Sequence, residues 1–155
     1  MPQYPGDFCT RTVASGDAEH GELMPTASQT AEWVEAYRRA WETADGKAAG
    51  ALFHEDASYR SDIFEDPHAG RSGIEDYWSN VTSAQSEITV RMGSPVVEGN
   101  RVVVEFWTTM LVAGDELTLP GCLLLQFADD GLCTDLREYW HTLGELREPP
   151  PGWGE

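Results

Sequence analysis

The segment Thr134–His141 reads T-D-L-R-E-Y-W-H and alternates charged or polar residues with large apolar ones. Period-two alternation marks a half-buried strand, so one set meets a core and the other meets water. Glu138 carries the chemical interest. A carboxyl group enclosed by apolar neighbours rises in pKa and can take up and release protons near neutrality. The preceding turns decide which way it faces. A turn centred on Gly114–Asp115 pairs Thr108 with Gly121 and Phe106 with Leu123. A turn centred on Asp129–Asp130 pairs Leu123 with Leu136 and Gly121 with Glu138. Directly opposed residues share a face. Phe106, Thr108, Leu123, Thr134, Leu136, Glu138 and Trp140 then fall together on an apolar face. Trp107, Cys122, Arg137, Tyr139 and His141 fall on the other. Glu138 is the only ionisable group on the inner side, and Gly121 leaves room beside it. A purely structural role is also open, in which Glu138 pairs with Arg60 or Arg71 or reaches water at the sheet edge.

Other polar side chains point the same way. Trp33, Tyr37 and Trp41 recur at i, i+4 and i+8, giving one helix an aromatic face on which Tyr37 either packs or donates a hydrogen bond. Tyr59 alternates with Ala57 and Ser61 and is expected to point inward, toward a ligand carbonyl or a backbone oxygen. Trp78 is expected in the wall of any pocket. Asp62-Ile63-Phe64-Glu65-Asp66-Pro67-His68 could position a base or a metal, but its acids lack regular ligand spacing. A solvated acidic loop is the stronger expectation, and no metal is expected. Cys9, Cys122 and Cys133 are odd in number and form no C-x-x-C, which argues against a disulfide framework and a zinc site. No nucleotide-binding glycine motif or G-x-S-x-G is present, and no cofactor is expected.

These residues sit on a recognisable order of elements. Ser28 is the expected N-cap of the aromatic helix, and a short helix follows over Lys47–Phe53. A-S-Y-R-S reads as a strand, D-P-H-A-G-R-S-G as a loop and I-E-D-Y-W-S-N-V as a third helix. I-T-V-R-M and the strands around the two turns complete an antiparallel meander. Helices followed by strands imply an α+β fold, with the helices covering one sheet face. At 155 residues the chain fits one domain. We expect residues 1–25 to be a flexible extension, 26–144 the domain and 145–155 a Pro/Gly-rich tail whose Trp153 tucks against it. The net charge of −17 argues against nucleic acid and anionic membranes as partners and favours a neutral or cationic small molecule. Neither a signal-peptide pattern nor a bilayer-spanning apolar run is present, which leads us to expect a cytoplasmic protein.

The element order, with H-E-D-A-S-Y after the second helix, G-R-S-G-I-E-D-Y-W opening the third and R-E-Y-W-H closing the sheet, resembles the NTF2-like superfamily. It is most similar to the SnoaL-like and ketosteroid-isomerase-like branches, over roughly residues 28–143. The resemblance implies a cone-shaped α+β barrel, with a curved antiparallel sheet and N-terminal helices enclosing one pocket. It also implies a homodimer through the outer sheet face, where Trp107 and Tyr139 would suit the contact. The isomerase's first oxyanion donor falls on Tyr37, its base on Ser61 (with Asp62 adjacent) and its second donor on Leu123. Two of those three positions are lost, so the resemblance does not extend to steroid isomerisation. It implies instead a small hydrophobic or aromatic ligand and cofactor-free acid–base chemistry of isomerase, cyclase, dehydratase or hydrolase type. Glu138, Tyr37 and Asp62 are the expected catalytic groups. Trp41, Tyr59, Ser61, Trp78, Phe106, Thr108, Leu123 and Trp140 are the expected ligand contacts. The alternative is a non-catalytic small-molecule-binding or dimerisation module of the same fold.

Overall fold

The computed structural model describes residues 25–155; the extension expected over 1–25, with Cys9, lies outside the described residues apart from Pro25. Helix α1 (Ala27–Glu42) opens at Thr26 rather than at Ser28. Thr26 and Gln29 form a reciprocal capping box, which satisfies two backbone donors together. Trp33, Val34, Tyr37, Ala40 and Trp41 form its buried stripe. Helix α2 (Gly46–Gly50) is capped by Asp45 and ends earlier than expected. The chain there is drawn into the sheet, because the Leu52 carbonyl accepts from both Trp33 Nε1 and the Cys133 backbone N–H.

Strand β1 (Phe53–Arg60) and the two-residue β2 (His68–Ala69) lead into α3 (Gly70–Thr82), so the glycine-rich stretch read as loop is the first turn of a helix. Arg71 anchors that turn by donating from Nε and Nη2 to the Phe53 carbonyl. The remaining strands are β3 (Gln85–Met92), β4 (Val96–Glu98), β5 (Arg101–Val112), β6 (Asp115–Phe127) and β7 (Cys133–Trp140). They form one mixed sheet in the order β2-β1-β7-β6-β5-β3, with β4 also on β5. The sheet is open, and the helices fill its concave side to make the cone-shaped α+β fold. All neighbouring pairs are antiparallel except β1 and β7, which run parallel.

The β6–β7 pairings differ from the expected ones by two residues, because that turn centres on Asp130 and a bulge adds one residue. The β5–β6 pairings also differ by two, because their turn centres on Ala113–Gly114 rather than Gly114–Asp115. Both central residues have positive φ (52° and 91°), the signature of the type I′ turn that suits the twist of a hairpin. Phe106 therefore opposes Gly121, and Thr108 opposes Leu119. Leu123 opposes Glu138, and Gly121 opposes Trp140. A shift of two preserves faces, so the inward assignment of Glu138 stands. The bulge between Gln126 and Phe127 does change a face: Cys133, not Thr134, enters the core.

The tail packs across the outer face of the sheet. Trp153 meets Trp107 with ring centroids 5.9 Å apart, and Trp107 Nε1 donates to the Arg147 carbonyl. Thr118 Oγ1 donates to the Glu145 carbonyl, and Arg91 pairs with Glu148. Trp107, expected to face a second subunit, is thus covered by its own chain.

Candidate active site

Three chain-distant groups meet in the interior. Tyr37, from the buried stripe of α1, donates to Glu138 Oε1 at 3.1 Å. Tyr59, an inward residue of β1, donates to the same oxygen. The two hydroxyls lie 3.0 Å apart. The parallel pairing of β1 and β7 sets Tyr59 beside Leu136, one strand position before Glu138 on the same face. Glu138 is 7% exposed and has no cation for a partner. Arg60 is occupied by the Glu65 carbonyl and Arg71 by that of Phe53, so neither expected ion pair forms.

Burial pushes the Glu138 carboxyl up to about 7, against the opposing pull of hydrogen bonds from Tyr59 and Tyr37. Burial, with the nearby carboxylate, holds both tyrosines well above the usual phenol range. They therefore keep their protons and act as fixed hydrogen-bond donors, while Glu138 is poised between its two states. Among the described residues its Oε2 accepts no hydrogen bond, and it is not one of the fully buried unpartnered atoms. Glu138 itself borders open space.

The open space is a cavity of about 310 Å³ between α1, α3 and the sheet. Trp41, Trp78, Tyr77 and Trp140 supply its aromatic wall, and Glu138 and Asp62 are its only ionisable carboxyls. Trp78, 3% exposed, keeps its indole N–H without a partner. Trp140 is 41% exposed at the rim and is pinned by donation from Nε1 to the Ser61 carbonyl at 2.7 Å. A second hollow of about 750 Å³ lies where β7 runs past the end of β1, and Glu138 borders it as well, with Asp62, Phe64, Tyr139 and Trp153 among others. It is larger and more open to water, so the smaller cavity between the helices and the sheet is the better candidate site.

Trp41, Ser61, Asp62, Trp78, Glu138 and Trp140 line the cavity, while Tyr37 and Tyr59 act on it only through Glu138. Phe106, Thr108 and Leu123 do not line it. They are fully buried in the core. The room expected beside Gly121 is also taken: a Cβ there would lie 2.5 Å from Phe106 Cζ and from the Tyr139 carbonyl oxygen. Tyr77 was missed, although its i+3 spacing from buried Ile74 put it on the inner side of α3. His68 stacks on Tyr77 at 4.1 Å, and its Nε2 lies 3.1 Å from Ser61 Oγ. No local sequence signal announces that stack. The acids around His68 do not converge with it, and Asp62 instead accepts from the Phe64 backbone N–H. Among the described residues, no group of three or more His, Cys, Asp or Glu is placed to hold a metal ion. Burial pushes both Cys122 and Cys133 thiols up, away from nucleophilic reactivity. No described helix is long and apolar enough to cross a membrane.

Comparison with known proteins agrees with this architecture. The family model described as SnoaL-like domain matches residues 34–136. No curated protein matches. Among solved structures, a Catenulispora acidiphila protein of ketosteroid isomerase-like fold, in complex with trimethylamine, is 22% identical. The alignment covers 70% of this chain and 84% of that one, with a TM-score of 0.64. SalBIII, an epoxide hydrolase/cyclase-like enzyme in pyran ring formation in the polyether salinomycin, is 20% identical over 76% of this chain and 95% of its own (TM-score 0.67). An LEH-like epoxide hydrolase of M. tuberculosis is 18% identical over 74% and 84% (TM-score 0.63).

Proposed function

Since the chain belongs to the SnoaL-like domain family, whose fold encloses one pocket, we propose that it catalyses cofactor-free proton transfer on a small, largely apolar molecule. The observation that carries this reading is the Glu138 carboxyl, which lines the cavity while buried against two tyrosine hydroxyls on one oxygen. With a pKa of about 7, comparable amounts of acid and base are present at neutral pH. A single group can then remove a proton from one position and return it to another. Tyr37 and Tyr59 stabilise the carboxylate and fix its orientation, so little reorganisation is needed when charge moves. Asp62 at the mouth is a second carboxyl that a migrating proton can reach. Trp41, Trp78 and Trp140 keep the reacting atoms away from bulk water, which strengthens every electrostatic contact inside. The epoxide hydrolase and hydrolase/cyclase activities of two structural neighbours, and the trimethylamine held by the third, support a small-molecule reading.

The test does not require the natural substrate. 5-Nitrobenzisoxazole is an apolar aromatic whose ring opens when a base removes its C–H proton. We expect the protein to accelerate that opening, with a rate that rises through about pH 7 as Glu138 ionises. Glu138→Gln is expected to lower the rate at least about 100-fold. An equal rate in Glu138→Gln, or a profile flat across neutrality, would refute the assignment. Binding of the probe without turnover by the intact protein would favour the non-catalytic reading.

A further inference from the structure

Resting on the reading of Glu138 as the reactive group of the cavity, we propose that the site selects ligands bearing a quaternary or protonated amine, seated between the aromatic walls with its charge toward Glu138 Oε2. The walls have the right form. Trp41 and Trp78 meet at 5.5 Å and 76°, and Tyr77 and Trp78 at 6.0 Å and 72°. Trp41, Tyr77, Trp78 and Trp140 border the cavity together, so aromatic faces and edges meet it from α1, α3 and β7. A cation within about 6 Å of such faces is attracted by their quadrupoles, more strongly in a water-poor site.

The charge distribution selects the same class. No lysine, arginine or histidine lines the cavity, and its two ionisable carboxyls are Asp62 and Glu138. Arg60 donates to the Glu65 carbonyl and Arg71 to that of Phe53, so neither pairs with Glu138. Glu138 lines this cavity with a nine-tenths buried carboxyl whose Oε2 accepts no hydrogen bond among the described residues. An anionic ligand would meet repulsion and find no guanidinium or ammonium to pair with. A neutral one would leave Oε2 without a charged partner. The net charge of −17 adds long-range attraction for a cation. At about 310 Å³ the cavity accepts a trimethylammonium-sized head with a short apolar body.

A pH dependence follows. Glu138 is faced by Tyr37 from α1, Tyr59 from β1, Tyr77 from α3 and Asp62 just beyond β1. The three phenols are held protonated by burial, and His68 behind Tyr77 is shifted toward its neutral form. Below a pH of about 7, a fixed cation must displace a proton from Glu138 before it can pair. Affinity is then expected to rise up to about tenfold per pH unit, and to level off above neutrality.

Choline and 3,3-dimethylbutan-1-ol differ only in N⁺ for C, which makes them a suitable probe pair for calorimetric or NMR titration of the full chain. We expect choline to bind at least about tenfold tighter than the alcohol near pH 8, and the preference to shrink below pH 6. Glu138→Gln should abolish its pH dependence. Trp140→Leu, at a half-exposed rim position that spares the core, should weaken choline more than the alcohol. Equal affinities, or a preference unchanged by pH and by Glu138→Gln, would overturn the proposal. The benzisoxazole reaction separates the two readings. Glu138-dependent turnover without choline preference defeats this inference alone, whereas choline preference without turnover defeats the catalytic reading.

Discussion

At the scale of single residues, the enclosed Glu138 makes stability depend on pH in a direction opposite to that of a salt-bridged acid. Its pKa is about 7 in the folded protein, against 4.5 for an unperturbed glutamate. Below about pH 4.5 both states hold the proton, and its contribution is fully present. As pH rises through 7 the folded state must give the proton up, and that contribution, on the order of 3 kcal/mol, is lost. Glu138→Gln keeps the shape and removes the titration. Its stability relative to the parent, measured by urea unfolding, should therefore increase between about pH 5 and 8 by roughly 1–3 kcal/mol. A difference that is constant with pH would show that Glu138 is not the buried titrating group. This residue was legible in the sequence because face parity survives errors of two in register. Its partners were less so: Tyr37 and Tyr59 were visible as inward residues, but their convergence on one oxygen depends on a strand pairing with no local signature.

Among the elements, the β5–β6 hairpin holds a local conflict between sequence and backbone. Ala113 sits at φ 52°, where a Cβ is disfavoured, while its N–H donates to the Ala84 carbonyl at 2.8 Å. Ala113→Asn places a residue suited to the first position of a type I′ turn and leaves that bond in place. It should stabilise the protein by about 0.5–1 kcal/mol in thermal or denaturant unfolding. A loss of stability would mean that the turn is held by contacts with the neighbouring β3 loop rather than by its own conformation. The same alanine explains why the turn was misplaced by one residue: Gly-Asp resembles a turn centre, and Ala-Gly does not. The β1–β7 pairing escaped sequence reading for a related reason. Antiparallel neighbours announce themselves through the turn between them, but parallel strands far apart in the chain share no turn. The short helices were misjudged at their ends, where caps and tertiary hydrogen bonds outweigh periodicity.

On the scale of the whole molecule, the C-terminal tail acts as a strap on the convex side of the sheet. It joins the domain through Trp153 on Trp107, Arg91 with Glu148, and the Thr118 bonds to Glu145 and Arg147. Removing residues 145–155 should destabilise the protein by about 1–3 kcal/mol, since it uncovers a tryptophan and breaks several hydrogen bonds. It should also increase self-association in sedimentation, because Trp107 would join Tyr139 and Val103 in one exposed apolar face. An unchanged sedimentation profile would count against that face as a latent contact. The sequence indicated that Trp153 would tuck against the domain, because a large aromatic in a proline-rich tail needs cover. The surface that receives it emerged only once the sheet was assembled.

The parallel contact between β1 and β7 also bears on how the molecule comes into being. Tyr37 and Tyr59 lie 101 and 79 residues before the glutamate they bind, and β7 is the last strand of the sheet to leave the ribosome. The helices and β1 must wait with their aromatic faces unfilled until that strand inserts between β1 and β6. Contacts of such long sequence separation raise contact order and slow folding. Insertion of β7, the step that buries the carboxyl, is then also the step that closes the core, and chains stalled before it expose the surface most prone to aggregation.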